Sequence, residues 1–549
     1  MNPLSNRFIA AGSTALLGAA GAGALLLVGS TAALANAPLL VTNLDDSGVG
    51  SLRQALLDAN AAPGGDVITF ADEVSGTISL LSDFPTLTEG VDIQGPGASV
   101  LAIDGGWTMA GGPSSGHVIF EIRDAPSSVA PWTISGLTIT GGNNSSGGGG
   151  LFVLNNVDAP VDIHDVEISN NYSQNGGGGV RVIGYGDVSF ANATISGNES
   201  ASGGGALYAD LLDFSNLSIA DSLITQNISY DAGGALYIES NGNDVAIVGT
   251  VVSNNSAGGS GGAIMITDLY TGGSLTVLDA VISGNHSDAN GGGLYSNTDD
   301  GSIFITDSTI SNNTAEGAGG GFYIGSTGLG QIVIANSTVS GNESVLGAGA
   351  MQLSGGSKVG LLQSTITNNT GGGANVVGGI SVEADDLTVT GSIVAGNAGF
   401  DIGDGSMLNT GSISLQSAKS KSSKTLKNRS AITPSGALPP ATATSDHSIL
   451  GEIDPAVTVV DGGGNKVGVV DPMLGPLADN GGPTMTHALL IGSPAIDAGP
   501  NPVPTFVGND FDQRGTGFAR IVFGVADAGA FELQEPIAPV VPVVPSFTG

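Results

Sequence analysis

The sequence predicts an all-β fold, a single-stranded parallel β-helix, and three observations predict it. A short phrase recurs along the chain every 27–30 residues. Between its copies lie only Gly-rich turns and short apolar runs of strand character. No helical pattern intervenes, which excludes leucine-rich and helical repeats. Stacking such coils buries a column of Val, Ile and Leu that no single coil buries alone. Each strand then pairs with its copy one coil away, at about 4.8 Å.

The phrase is a β-branched residue, usually Ser or Thr, one spacer, then Asn. It reads Ile168-Ser-Asn-Asn171, Ile195-Ser-Gly-Asn198, Ile224-Thr-Gln-Asn227, Val252-Ser-Asn-Asn255 and Ile282-Ser-Gly-Asn285. It continues as Ile310-Ser-Asn-Asn313, Val339-Ser-Gly-Asn342, Ile366-Thr-Asn-Asn369 and Val394-Ala-Gly-Asn397. Successive copies are 27, 29, 28, 30, 28, 29, 27 and 28 residues apart, and Ile139-Thr-Gly-Gly-Asn143 is an earlier copy with one extra residue. About ten or more coils follow. Asn tolerates left-handed backbone, so the repeated Asn is expected at a corner, its amides stacked as a ladder. That spacing favours a ladder over glycosylation of sequons such as Asn198-Glu-Ser200 or Asn312-Asn-Thr314.

Each period holds three expected strands. A Gly turn leads one, as in Gly203-Gly-Gly-Ala-Leu-Tyr208, an alternating strand such as Ile303-Phe-Ile305 follows, and the phrase supplies the third. The Gly clusters are corners; no Lys follows them as a phosphate loop requires.

The remaining segments frame the rod. Residues 1–35 carry one charge, Arg7, then an apolar Ala/Gly/Leu stretch ending Ala33-Leu34-Ala35, the pattern of a cleaved export signal. No later segment reaches transmembrane length. Residues 36–130 hold the N-terminal cap and first irregular coils, with a short capping helix from Ser51, whose spacing to Gln54 is that of a capping box. The coils occupy 131–404. A Ser/Lys-rich insertion fills 405–446, apolar patterning returns at 447–534, where a C-terminal cap over the rod's end is expected, and a Pro/Val-rich tail occupies 535–549.

Composition narrows function. Of 549 residues 91 are Gly and 24 Pro with no Gly-X-Y period, so the chain is not collagen. Zero Cys removes disulfides, thiolate metal sites and Cys nucleophiles. A formal charge of −36 repels phosphate backbones and argues against nucleic acid as a partner.

Acids are candidates for chemistry. Asp299 and Asp300, in Asn297-Thr-Asp-Asp300, look like the start of a polygalacturonase site, but without its Gly-His-Gly and Arg-x-Lys companions. The two basic residues of the coils, Arg181 and Lys358, stand about six coils apart, roughly 29 Å, so they share no site. One acidic file, including Asp210, Asp244, Asp268, Asp299, Asp300, Asp385 and Asp386, falls after the Gly-led strand. Carboxylates and turn carbonyls there suit calcium, the one cofactor the sequence brings into view. A second file, Asp165, Asp221, Asp279 and Asp307, precedes each phrase.

The end segments carry a resemblance. Asn43-Leu-Asp-Asp-Ser-Gly-Val-Gly-Ser-Leu-Arg-Gln-Ala55, then Gly65-Asp-Val-Ile-Thr-Phe70, resembles the N-terminal signature of secreted bacterial right-handed β-helix proteins with a Cys-Ser-Leu-Arg-Glu-Ala motif. Gly50 stands for its Cys and Gln54 for its Glu. Asp471–Thr484, Gly492–Gly499, Asp512-Gln-Arg-Gly515 and Asp527-Ala-Gly-Ala-Phe-Glu532 resemble the choice-of-anchor domain of the same proteins. The Gly-Gly-Ala-Ile repeats are also similar to polymorphic outer-membrane protein repeats. The resemblance implies a pectin-lyase-like, right-handed helix at the cell surface, with no general activity assigned. The expected function is an exported, noncatalytic adhesin, stalk or glycan-binding rod, with polysaccharide or a cell-surface ligand as partner. The alternatives are a lyase or glycoside hydrolase acting on acidic polysaccharide, and a calcium-stiffened spacer.

Overall fold

A computed structural model describes residues 38–534, apart from 62–63, 113–114, 124–129, 156–157, 213–214, 271, 299, 327–329, 356–357, 374–375, 383–385, 405–440 and 507. The chain divides into 1–37 and 38–549, so the expected export signal and the tail lie outside the described residues.

The described residues between 38 and 467 wind into a parallel β-helix. One coil shows the plan. Val188–Ala191 lies in a 15-stranded sheet, Thr194–Ser196 in a 14-stranded sheet, Glu199–Ser200 in an 8-stranded sheet and Leu207–Leu211 in an 11-stranded sheet. We name these walls 1 to 4. Every neighbouring pair within them is parallel, and most are in register throughout, as in Ile168↔Ile195↔Ile224, with shifts only at Thr267/Leu269, Val377/Ile380 and Ser445/Asp446. Fifteen strands at about 4.8 Å make a rod of roughly 67 Å. Alternation along each strand sends Ile, Val and Leu inward, and one cluster runs from Val41 to Val457.

Three strands per coil were legible and the fourth was not. Wall 3 consists of two-residue strands such as Tyr172–Ser173 and His286–Ser287, too short to carry a period.

The corners correct the expectation for Asn. The left-handed residue is the spacer before the ladder position: Asn170, Gln226, Asn254, Asn312 and Asn368 have φ of 54–59°, with Gly197, Gly284, Gly341 and Gly396 in the other coils. The ladder Asn itself keeps ordinary backbone and turns its side chain inward. Register also places Gly142 at the first ladder position, while Asn143 pairs with Tyr172, so the Ile139 copy contributes no Asn rung. The turn before wall 4 needs glycine for two reasons. Gly204 has φ of 69°, and a Cβ on Gly205 would stand 2.2 Å from the Gly234 carbonyl oxygen.

Helix α1, Leu52–Ala61, covers the N-terminal end of the core with Leu52, Ala55, Leu56 and Ala59. Ser51 Oγ accepts the Gln54 N–H at 3.2 Å, the expected half of the capping box. Arg53 ties the helix down through Asp46 at 2.6 Å and the Ser82 carbonyl at 2.8 Å.

The C-terminal part differs from expectation in two ways. Strand Thr442–Asp446 falls inside the segment read as insertion, and joins wall 1 beside Asp386–Thr390. Ile449–Leu450, Thr458–Gly463 and Lys466–Val467 then complete the last coils. The rest, from about 469 to 534, folds back along the outside of wall 2 rather than closing the rod's end. Ile393, Ala395 and Ile449 of the rod form a second apolar cluster with Leu489, Ala495, Ala498, Ala528 and Phe531. There the outer positions of wall 2, Thr309 and Ser311, Thr338 and Ser340, Thr365 and Thr367, become buried.

Candidate functional site

The ladder residues are interior. Asn171, Asn198, Asn227, Asn285, Asn313, Asn342 and Asn369 are fully buried, Asn255 nearly so and Asn397 half-buried. Each rung repeats one geometry. Asn198 Oδ1 accepts the Asn171 N–H at 3.0 Å and the Asn171 Nδ2 at 2.9 Å, and Asn198 Nδ2 donates to the Ile168 carbonyl at 2.9 Å. The last rung donates into a carboxylate: Asn397 N and Nδ2 reach Asp401 Oδ1 at 2.9 and 2.7 Å, and the Glu452 N–H reaches Asp401 Oδ2 at 2.8 Å. Burial raises the Asp401 carboxyl, and these bonds pull it back.

A second ladder, of hydroxyls, runs down the corner between walls 1 and 2. Ser308 N donates to Ser337 Oγ at 3.1 Å, Ser337 N to Ser364 Oγ at 3.2 Å and Ser364 N to Ser392 Oγ at 3.0 Å. Each Oγ donates to the carbonyl two residues earlier, as Ser308 does to Thr306 at 2.7 Å. The residue at this corner is left-handed whether or not a hydroxyl follows, and the second acidic file occupies it: Asp165, Asp221, Asp279 and Asp307 have φ of 48–54°, followed by Val166, Ser222, Ala280 and Ser308. The signal, a turn-former three residues ahead of each phrase, followed by Ser or Thr in six of the nine copies, was present in the sequence.

The first acidic file separates. Asp299 and Asp385 lie outside the described residues. Asp300 is exposed in a turn with φ of 70°. Asp386 begins a wall 1 strand opposite Lys358. Asp244 precedes a wall 1 strand and accepts Ser274 Oγ at 2.7 Å. Asp268 sits at a bulge and accepts the Tyr270 hydroxyl at 2.7 Å. Asp210 lies within a wall 4 strand. Among the described residues no three His, Asp or Glu side chains are grouped so as to hold a metal ion. Arg181 and Lys358 stand on different walls, 4 and 1.

What does converge is the outer face of wall 4. Register aligns Phe152, Arg181, Tyr208, Tyr237, Met265, Tyr295, Tyr323 and Gln352, one per coil. Tyr208 and Tyr237 stack at 5.1 Å and 5°, Tyr295 and Tyr323 at 5.2 Å and 11°, and Arg181 lies 5.0 Å over Tyr208. Glycine makes room: a Cβ on Gly203 would meet the Tyr237 ring at 2.7 Å. Two residues further along each strand run Asp210, Glu239, Thr267 and Asn297. The Tyr208 hydroxyl donates to Glu239 Oε1 at 2.6 Å. Burial raises the Glu239 carboxyl, which the Tyr208 hydroxyl partly offsets, and raises Tyr237 to about 12, with Glu239 adding to it. The face is a repeated set of phenol edges, carboxylates and amides, suited to binding hydroxyl-bearing groups at coil spacing. The sequence reading saw the acids and missed the aromatic row, which only register brings together.

The residues of the C-terminal resemblance hold the docked segment in place. Gln513 reaches into wall 2, accepting Thr338 Oγ1 at 2.5 Å and donating to the Ser308 carbonyl at 3.1 Å. Asp512 takes Arg514 at 3.1 and 2.5 Å, and Arg514 lies between Phe518 and Phe531 at 4.0 and 3.8 Å. Arg520 donates to Asn336 of the rod. Beside it, burial raises Asp307 to about 7 and Glu532 to about 8.

The fold defines the class: a single-stranded parallel β-helix with an outward-docked C-terminal segment. Residues 192–210 match the model of the Chlamydia polymorphic membrane protein repeat. That stretch is most of one coil, from the left-handed Asn192 through ladder Asn198 to Asp210 on wall 4. No curated protein matches the chain.

Proposed function

We propose that the chain is a surface-exposed, adhesin-like β-helix that works by binding a repetitive glycan along its rod, without turnover. The observation that carries this reading is the match of one coil to the polymorphic membrane protein repeat, in a rod that repeats that coil in register. The wall 4 row supports it: phenols, carboxylates and amides recur once per coil, and a long ligand gains by engaging several weak sites at once. Export through residues 1–35, and attachment through the choice-of-anchor-like residues 471–532, belong to the same proposal.

Two measurements test it. Protease treatment of intact producing cells is expected to remove the rod, and a protected rod would sink the surface assignment. The full chain is expected to bind one member of a panel of acidic and neutral polysaccharides without shortening it. Cleavage would restore the enzyme alternative and send mutagenesis to Asp299 and Asp300. A melting temperature that rises with calcium and falls with chelator would favour the spacer.

A further inference from the structure

The outward middle row of wall 1 carries a side chain in every coil but one. Along Thr276, Phe304, Val333, position 360, Thr388 and Thr444, position 360 is glycine. Glycine inside a strand weakens it, and it persists where φ must be positive, where a Cβ would clash, or where something must approach the backbone. Gly360 is not among the residues of positive φ, and a Cβ built there meets nothing within 4 Å. Neither backbone conformation nor sterics within the fold requires it.

Its missing side chain opens a groove of about 500 Å³ across wall 1. Val333 forms one rim and Thr388 and Thr444 the other, with Gln331, Lys358 and Thr442 along one side. These outward polar side chains are exposed, and the inward neighbours Ile332, Val359 and Leu387 are buried in the core, so the floor is rigid. Lys358 makes no ion pair among the described residues.

The geometry points to this groove as a binding site for one unit of a neutral, hydroxyl-rich saccharide, lying on the Gly360 backbone. Hydroxyl, amide and ammonium groups pair with sugar hydroxyls as donors and acceptors. Among the described side chains, none that lines the groove is aromatic, which disfavours an apolar ligand, and the Lys358 ammonium disfavours a cation. Anions are disfavoured because Asp386 holds the register position next to Lys358 and the chain carries −36. The volume is that of an ordinary small-ligand pocket. This inference rests on the glycan-binding reading and gives it a ligand class and a location away from wall 4.

The test is Gly360→Val in the full chain, with Thr444→Val as a second, near-isosteric variant. Maltotriose, cellotriose and mannotriose are titrated against each protein by calorimetry, with trigalacturonate as the anionic arm. The expected result is that wild type binds a neutral trisaccharide, Gly360→Val weakens it about tenfold or more, and its melting temperature is unchanged or higher. Thr444→Val is expected to weaken it by a smaller factor. Equal binding by wild type and both variants overturns the groove and leaves glycan binding elsewhere on the rod intact. Preference for trigalacturonate overturns the neutral class. A wild type that binds no trisaccharide and no polysaccharide takes the glycan reading down with the groove.

Discussion

Truncating one rung in the middle of the Asn ladder removes four hydrogen bonds at once. Asn285 Oδ1 accepts the Asn255 N–H at 2.9 Å and Asn255 Nδ2 at 3.0 Å. Asn285 Nδ2 donates to the Val252 carbonyl at 3.0 Å and Asn313 Oδ1 at 2.9 Å. In Asn285→Ala the Asn255 N–H has no replacement partner and no water at full burial, a cost of about 1–3 kcal/mol. The other three bonds add about 1 kcal/mol each, because their partners keep second contacts such as Asn255 Nδ2 to Ile224 at 3.1 Å. The expected loss is therefore roughly 4–6 kcal/mol, felt by the coils on either side. Hydrogen exchange reads it locally, with amides of 252–257 and 282–287 losing protection while those near Ile93 and Val389 keep theirs. Asn285→Asp sharpens the test. Its carboxylate still accepts from Asn255 but faces the Asn313 and Val252 oxygens, so its folded pKa lies above its unfolded value. Below about pH 4 the protonated acid replaces one donor; as pH rises past that value the unfolded state ionises and stability falls. A loss under about 1 kcal/mol for Asn285→Ala, or a pH-independent Asn285→Asp, would refute the ladder as a source of stability.

Three further outcomes follow from the same geometry. Asp307 and Glu532, raised to about 7 and about 8, hold protons in the docked state that the unfolded chain releases from about pH 4, so docking weakens as pH climbs from there and levels off above 8. Hydrogen exchange of 474–534 across that range measures it, and Asp307→Asn with Glu532→Gln is expected to flatten the slope; an unaltered slope places the titration elsewhere. Gly50→Cys, which restores the residue of the resembled motif, is expected to lower the melting temperature, because Gly50 has φ of 77° and its Cβ would stand 2.2 Å from Thr42 Oγ1. The strained backbone alone costs about 1–2 kcal/mol, and an unchanged melting temperature would contradict that loop geometry. Asp401→Ala strips the acceptor from Asn397 and Glu452 and is expected to unravel the last coils first, whereas Asp401→Asn, which keeps one oxygen, costs less; equal effects in proteolysis would deny the terminal role.

The rod was legible because one coil is written many times. Ile168, Ile195 and Ile224 announce wall 2 by spacing alone, and the Asn three residues on announces its ladder. The left-handed residue went to the wrong Asn in Asn170-Asn171 because both positions accept Asn for different reasons, one for its backbone and one for its amide. Asn/Gly/Gln variation at the spacer, against invariant Asn at the rung, was the available clue. The docked segment was not legible. Gln513 meets Thr338 across 175 residues, and nothing local in Asp512-Gln-Arg-Gly515 says which wall it will find. The wall 4 tyrosines and the Gly360 gap are likewise properties of register, invisible until strands are aligned coil by coil.

The ladders also give the rod a direction. Each Asn Oδ1 accepts from the coil before it, and each Nδ2 gives one hydrogen back to that side's carbonyl and the other to the Oδ1 of the next rung, so every rung creates a need for an acceptor one coil on. An Asn at the final position would leave a buried amide hydrogen facing no partner, whereas a carboxylate accepts and asks for nothing. Asp401 is that stop: it takes both donors of Asn397 and uses its second oxygen for the Glu452 N–H, where the regular coil ends. The hydroxyl ladder ends by the same logic. Ser448 N donates to Asn465 Oδ1 at 2.9 Å, and Asn465 Nδ2 passes the chain to Asp461 Oδ1 at 2.5 Å. At the other end, Gly142 N opens the Asn ladder with a backbone donor that needs no side chain. The length of the Asn ladder is therefore set chemically, by where an amide rung gives way to a carboxylate, while the rod itself continues through coils on both sides of it.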